Sequence, residues 1–176
     1  MAKQVSYLIN KIFSKVHRNP DEKMNRFFRK CGISVGDNCH IYSNIVTSEP
    51  YLISIGNNVT ISTEVGFITH DNSIIKIDSS LPNLFGKIVI GNNCFVGERS
   101  TFLYGVRICD NVIVAAGSVV CSSFAEERII IGGNPAKKIG DWDTFCEKNK
   151  GFAISRTNCK ETLEQNPEKL VQRKTK

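Results

Sequence analysis

The chain is 176 residues long, 41% apolar and 23% charged, enough apolar surface for one packed domain with short extensions and too little bias for disorder. Its formal net charge of +6 is uneven: residues 1–32 hold eight Lys/Arg against two acids, residues 156–176 six against three, and residues 33–155 nine against twelve. The basic charge therefore sits on the two ends, with no aromatic-interleaved stripe between them, which argues against nucleic acid as a partner, and no apolar run approaches the roughly 20 residues of a membrane span.

The first predicted element is a helix. Val5, Leu8, Ile9, Ile12, Phe13 and Val16 recur at helical spacing, with Lys3, Lys11 and Lys15 off that face. The lysines and the lack of a small-residue cleavage site argue against a secretory signal. Residues 1–32 are assigned as an amphipathic helical cap for the open end of the domain that begins at residue 33, with weak peripheral contact to anionic lipid as the second reading.

From residue 33 the period becomes six. Val35 and Ile41, then Ile55, Ile61 and Phe67, then Ile90, Val96, Phe102, Ile108, Val114 and Val120 are large and apolar at that spacing. A small residue follows most of them (Gly36, Gly56, Ser62, Gly91, Gly97, Ala115). A small or medium residue comes four positions after most of them (Cys39, Val59, Val65, Cys94, Ser100, Val106, Val112, Ser118), and Asn or Asp fills the turns between. Period six would carry the large residues right round a helix axis, and a flat strand alternates with period two. Short strands joined by turns that tolerate positive φ do fit, and three such units close one triangular coil. The expected fold is an all-β solenoid, a parallel β-helix of five to seven partial coils over residues 33–140.

Two interruptions mark loops pushed out of the coil: a short one at Thr47–Tyr51, and a long one extruded over residues 69–87. Residues 141–176 read as a closing helix at Asp141–Lys150 and a basic tail, helical or disordered. Seven Cys with no CxxC pair read as small buried hydrophobes in a reducing cytosol.

The stretch IGNNCFVGERSTFLYGVRICDNVIVAAGSVV followed by GGNPAKKI, with the Thr69-His70-Asp71 loop before it, resembles the hexapeptide-repeat acyltransferases. Within them it is similar to the sugar O-acetyltransferases of capsule and lipopolysaccharide biosynthesis, and more distantly to the maltose, galactoside and xenobiotic acetyltransferases. The resemblance spans roughly residues 33–145. It implies a left-handed coil, a cytoplasmic homotrimer, no metal, and acetyl-CoA lying in a groove between neighbouring coils of two subunits. The implied reaction is acetylation of a sugar hydroxyl in surface-polysaccharide assembly, with N-acetylation of an amino sugar as the near alternative. A non-catalytic or metal-binding β-helix like the γ-class carbonic anhydrases is a third reading. That zinc site takes three His from adjacent coils, and His17, His40 and His70 are badly placed to converge.

The resemblance makes His70 the catalytic base, while His17 and His40 read as surface residues. Acyl transfer from a thioester to an alcohol needs a base for the hydroxyl proton and then an acid for the leaving thiolate, and one imidazole serves both. By position in the family motif, the backbone N–H of Glu98 is the oxyanion donor. Gly97, Ala115 and Ala116 supply a small-residue path for the pantetheine arm, with Phe95 packed beside it. Ser122 stands where the family often has Lys, which leaves Lys137 and Lys138 as the phosphate contacts. Glu49 and Glu64 are candidate acceptors for sugar hydroxyls, and Asp71 is assigned to orient His70 or touch the substrate.

Overall fold

The computed structural model describes residues 2–172, and side chains from residue 6 onward. Val5 of the predicted helix face and Lys3 off it, and Arg173, Lys174 and Lys176 of the predicted tail, lie outside the described side chains. The chain divides into two compact units, Met1–Ile139 and Gly140–Lys176.

The hexads build three sheets. One takes Ser34–Val35, Ile53–Ile55, Ile88–Ile90 and Arg107–Ile108; the second takes His40–Ile41, Thr60–Ile61, Phe95–Val96, Val112–Val114 and Ile129–Gly132, with Lys137–Asp141 at its edge; the third takes Gly66–Phe67, Thr101–Phe102 and Val119–Val120. Each strand of the repeat pairs parallel with its counterpart one coil away. The register runs Val35, Ile55, Ile90, Ile108 up one sheet. The last step is three hexads, and the two earlier ones are lengthened by the insertions. Four coils result, the first without a third strand, and a partial fifth ends in Ile129–Gly132. Counting the partial ones, this is the lower end of the five to seven coils that the sequence spacing predicts, because the insertions consume length without adding coils.

All eleven large hexad residues are buried, and so is the residue two positions before each of them. Each short strand thus points two residues inward, and the core is a column along the solenoid axis. Phe67 and Phe102 stack in it, ring centroids 5.6 Å apart. The corners explain the Asn signal. Asn38, Asn58, Asn93 and Asn111 hold φ of 55, 54, 52 and 58°, a left-handed conformation Asn tolerates better than most side chains. The neighbouring polar residues form a ladder, with Asn57, Asn92 and Asp110 side chains each accepting the N–H of Asp37, Asn57 and Asn92 at 2.8 Å. Glycine precedes the first three of these corners, where the coils nearly touch: a Cβ on Gly91 would lie 2.5 Å from the Cys109 carbonyl carbon.

Two helices, α1 (Ala2–Ser14) and α2 (Pro20–Lys30), stand before the first coil. Asn19 caps α2 by accepting Glu22 N–H at 3.1 Å. Met24, Asn25 and Phe28 are the buried side of α2. Asn25 donates to the Cys39 carbonyl, and Arg29 donates to the carbonyls of Val35 and Gly36, so α2 closes the strand edge that the first coil leaves open. The predicted cap is therefore corrected. The face expected to cover the coil, Leu8, Ile9, Ile12, Phe13 and Val16, is exposed. Helix α1 docks by its other side, with Tyr7 and Ser14 buried and the Tyr7 ring against Phe27 and Phe28, because α2 already occupies the end of the solenoid.

The cysteine reading is corrected in part. Cys39 and Cys94, at inward hexad positions, are buried, whereas Cys31, Cys121 and Cys146, outside those positions, are exposed. In the second unit α3 (Trp142–Asn149) is capped by Asp141, and the expected tail contains a further helix, α4 (Cys159–Gln165), between short 3-10 turns. Lys169 ties that segment back by donating to the Gly151 carbonyl at 2.7 Å.

Candidate active site

Both insertions leave the solenoid at the same corner, between the third sheet and the first. The short one ends the first coil and the long one ends the second, so they stack. The long loop begins as a two-stranded antiparallel ribbon, His70 opposite Phe85 and Asp71 opposite Leu84. The His70 and Phe85 rings are 5.9 Å apart. This ribbon holds His70 at the root of the loop with its side chain 44% exposed, open enough to meet a substrate.

Glu49 rises to it from the coil below. Its Oε2 accepts from His70 Nδ1 at 2.9 Å and from Thr69 Oγ1 at 2.7 Å, and Thr69 and Thr47 hydroxyls lie 2.6 Å apart. These bonds, Thr69's first and then those of His70 and Thr47, hold the Glu49 carboxyl below the usual carboxylate range. A carboxylate can only accept, so Nδ1 carries a proton and Nε2 keeps the lone pair of the neutral ring. That is the tautomer a general base requires. Beside the pair opens a depression of about 440 Å³ walled by Val46, Ser48, Ile68 and His70.

The other predicted residues fall elsewhere. Glu49, expected to receive sugar hydroxyls, is engaged by His70 and Thr69 instead. Asp71 does not bond to His70: its Oδ1 accepts Ser73 N–H at 2.7 Å and its Oδ2 lies 3.4 Å from the Tyr104 hydroxyl, and the Ser73 bond leads in lowering its pKa. Glu64 has φ of 57° and pairs with Arg99 at 2.7 Å, at the corner between the second and third sheets. Gly97, Glu98, Ala115 and Ala116 occupy that same second corner on the next two coils. A Cβ on Gly97 would sit 2.4 Å from Ala116 N, so small residues there permit coil stacking. The Glu98 carbonyl accepts Gly117 N–H at 2.8 Å. Phe95 lies in the second sheet between Thr60 and Ile113 with its ring partly exposed. Ser122 is exposed at the loop corner of the fourth coil. Lys137 is exposed at the start of the last strand, and Lys138 is paired with Glu126. The three His are in three places: His17 on the Asn19 carbonyl, His40 on Asp21, and His70 on Glu49. Among the described residues no group of three or more His, Cys, Asp or Glu is arranged to hold a metal.

The sequence thus points to His70 but not to its partner. Glu49 sits in the short insertion, about one coil before His70, and the signal that pairs them is that both insertions leave the same corner.

Comparison with known proteins bears on this arrangement. Residues 30–47 and 87–122 match the family described as "Hexapeptide repeat of succinyl-transferase". Protein CapG of Staphylococcus aureus is 45% identical over 143 residues, 78% of this chain and 81% of that protein. Galactoside O-acetyltransferase of Escherichia coli is 26% identical over 134 residues, 75% of this chain and 66% of that protein. A hexapeptide-repeat acetyltransferase from Vibrio cholerae, solved with acetyl-coenzyme A, has the same fold: TM-score 0.61, 22% identity, 80% of this chain and 87% of that one.

Proposed function

Since this chain belongs to the hexapeptide-repeat acyltransferases, we propose that it moves the acetyl group of acetyl-coenzyme A onto a saccharide hydroxyl, with His70 as the base. The observation that carries the reading is the Glu49–His70 pair, held at the mouth of an extruded loop in the tautomer the chemistry needs. The galactoside acetyltransferase among the relatives supports a sugar acceptor. Surface-polysaccharide assembly on the cytoplasmic side, where acetyl-CoA is available, is the proposed setting. No helix among the described residues is long and apolar enough to cross a membrane.

In the proposed step His70 Nε2 takes the acceptor's hydroxyl proton as its oxygen attacks the thioester carbonyl. Glu49 stabilises the imidazolium that forms. A backbone N–H, assigned to Glu98, steadies the tetrahedral oxyanion. The C–S bond then breaks, and the imidazolium returns the proton to the coenzyme A thiolate.

Within one chain His70 and Glu98 lie at different corners of the triangular coil, which supports a homotrimer in which the edge of one copy carrying His70 meets the edge of another carrying Gly97, Glu98, Ala115 and Ala116. Phe95, Ser122, Lys137 and Lys138 remain assigned to coenzyme A, and Asp71 and Glu64 to the acceptor. The test is release of free thiol from acetyl-CoA with a panel of saccharides. A saccharide-dependent rate is expected, and a rate that no saccharide or amino sugar raises would rule the reading out. Lys137→Ala should weaken acetyl-CoA binding by about 1 kcal/mol or less, as an exposed charge contact does, with little change in kcat at saturation.

A further inference from the structure

The mechanism makes no use of α1, yet the exposed side of that helix is built for a partner. Leu8, Ile9, Ile12 and Phe13 stand together on it, and Val16 extends the row just past its end, with exposures from 48% for Ile9 to 85% for Val16. Both edges of this apolar strip carry cations. Lys11 and Lys15 follow Leu8 and Ile12 by three residues on one edge, and on the other Lys23 of α2 brings its Nζ to 5.5 Å from the Phe13 ring centre. Among the described residues Lys11, Lys15, Arg18 and Lys23 take part in no ion pair. The first 20 residues contain no acid. The two acids of α2 are both engaged, Asp21 with His40 and Glu22 with Arg26 and Arg29.

We propose that this face docks the protein on an anionic phospholipid leaflet. The helix lies in the membrane plane, its apolar row enters the headgroup boundary, and its lysines extend their stems toward the phosphates. Charge selects this occupant. Apolar burial against a second copy would gain nothing from uncompensated lysines on both edges, whereas an anionic leaflet attracts each of them.

Sedimentation of the full chain with vesicles tests this, using phosphatidylcholine alone and phosphatidylcholine mixed with phosphatidylglycerol. The protein should pellet with the mixed vesicles, not with the neutral ones, and raised salt should release it. Lys11→Gln and Lys15→Gln should each weaken binding about fivefold, and Ile12→Asp should abolish it. Val16→Ser, at the most exposed position, gives an independent weakening should Ile12→Asp alter folding, and unchanged circular dichroism melting certifies each variant. Equal binding to both vesicle types, or none by the folded wild type, would overturn the proposal. So would an oligomer that Ile12→Asp dissociates in light scattering, which would make the face a contact between copies.

Discussion

At the scale of single residues, the proposed reaction turns on Glu49 acting through His70. Glu49→Gln keeps a hydrogen-bond partner but removes the charge that steadies the imidazolium and introduces an amide that can bond in either orientation. It should lower kcat roughly tenfold or more. In a His70→Ala background the same change should cost almost nothing, because the group it serves is gone. A steady-state kinetic cycle checks this, and an undiminished Glu49→Gln effect in that background would assign Glu49 a separate role. His70 was legible because the long insertion begins beside it and the family motif contains it. Glu49 was not, because pairing it with His70 requires knowing how far the chain travels before it passes the same corner again. A buried thiol supplies a second residue-scale test. Burial pushes Cys94 up to about 11 from an ordinary value of 9.0, so the fold favours the neutral form. Its contribution is complete below pH 9, declines as the unfolded thiol ionises, and is gone above about 11. Melting temperature should fall across that window, and the fall should be shallower in Cys94→Ala.

At the scale of elements the hexad is the organising unit. Its large residue and the small one two places earlier point inward, its Asn takes the positive-φ corner, and its glycine lets the next coil approach. Gly91→Ala tests the last of these, because the new Cβ would meet the Cys109 backbone and Asp110 Oδ1 at 2.5 Å. Neither coil can yield without breaking the ladder, so a loss of about 1–3 kcal/mol is expected from overpacking. Chemical denaturation measures it, and unchanged stability would mean that the coils are more loosely stacked than described. Spacing made this layer readable because the burial period is a local property of the chain. Helix α1 shows where that stops. Its apolar row was plain, but which side faces the protein depends on α2 reaching the end of the solenoid first, through Arg29 and Phe28. That competition is tertiary and leaves no periodic mark.

At the scale of the whole molecule, the proposed base at one corner of the coil and the proposed oxyanion donor at another call for two copies at one site. Light scattering should report three times the chain mass, and a monomer at working enzyme concentration that retains full activity would contradict the shared site. That His70 performs the chemistry while other parts of the coil hold the coenzyme has a more direct test. The measurement is saccharide-dependent thiol release by wild type and His70→Ala, with acetyl-CoA affinity taken from calorimetry on the same preparations. The expected kcat is lower by about a hundredfold or more, as for loss of a general base, with the dissociation constant of acetyl-CoA nearly unchanged. A His70→Ala protein with wild-type turnover, or one whose loss lies wholly in acetyl-CoA binding, would contradict this division of labour.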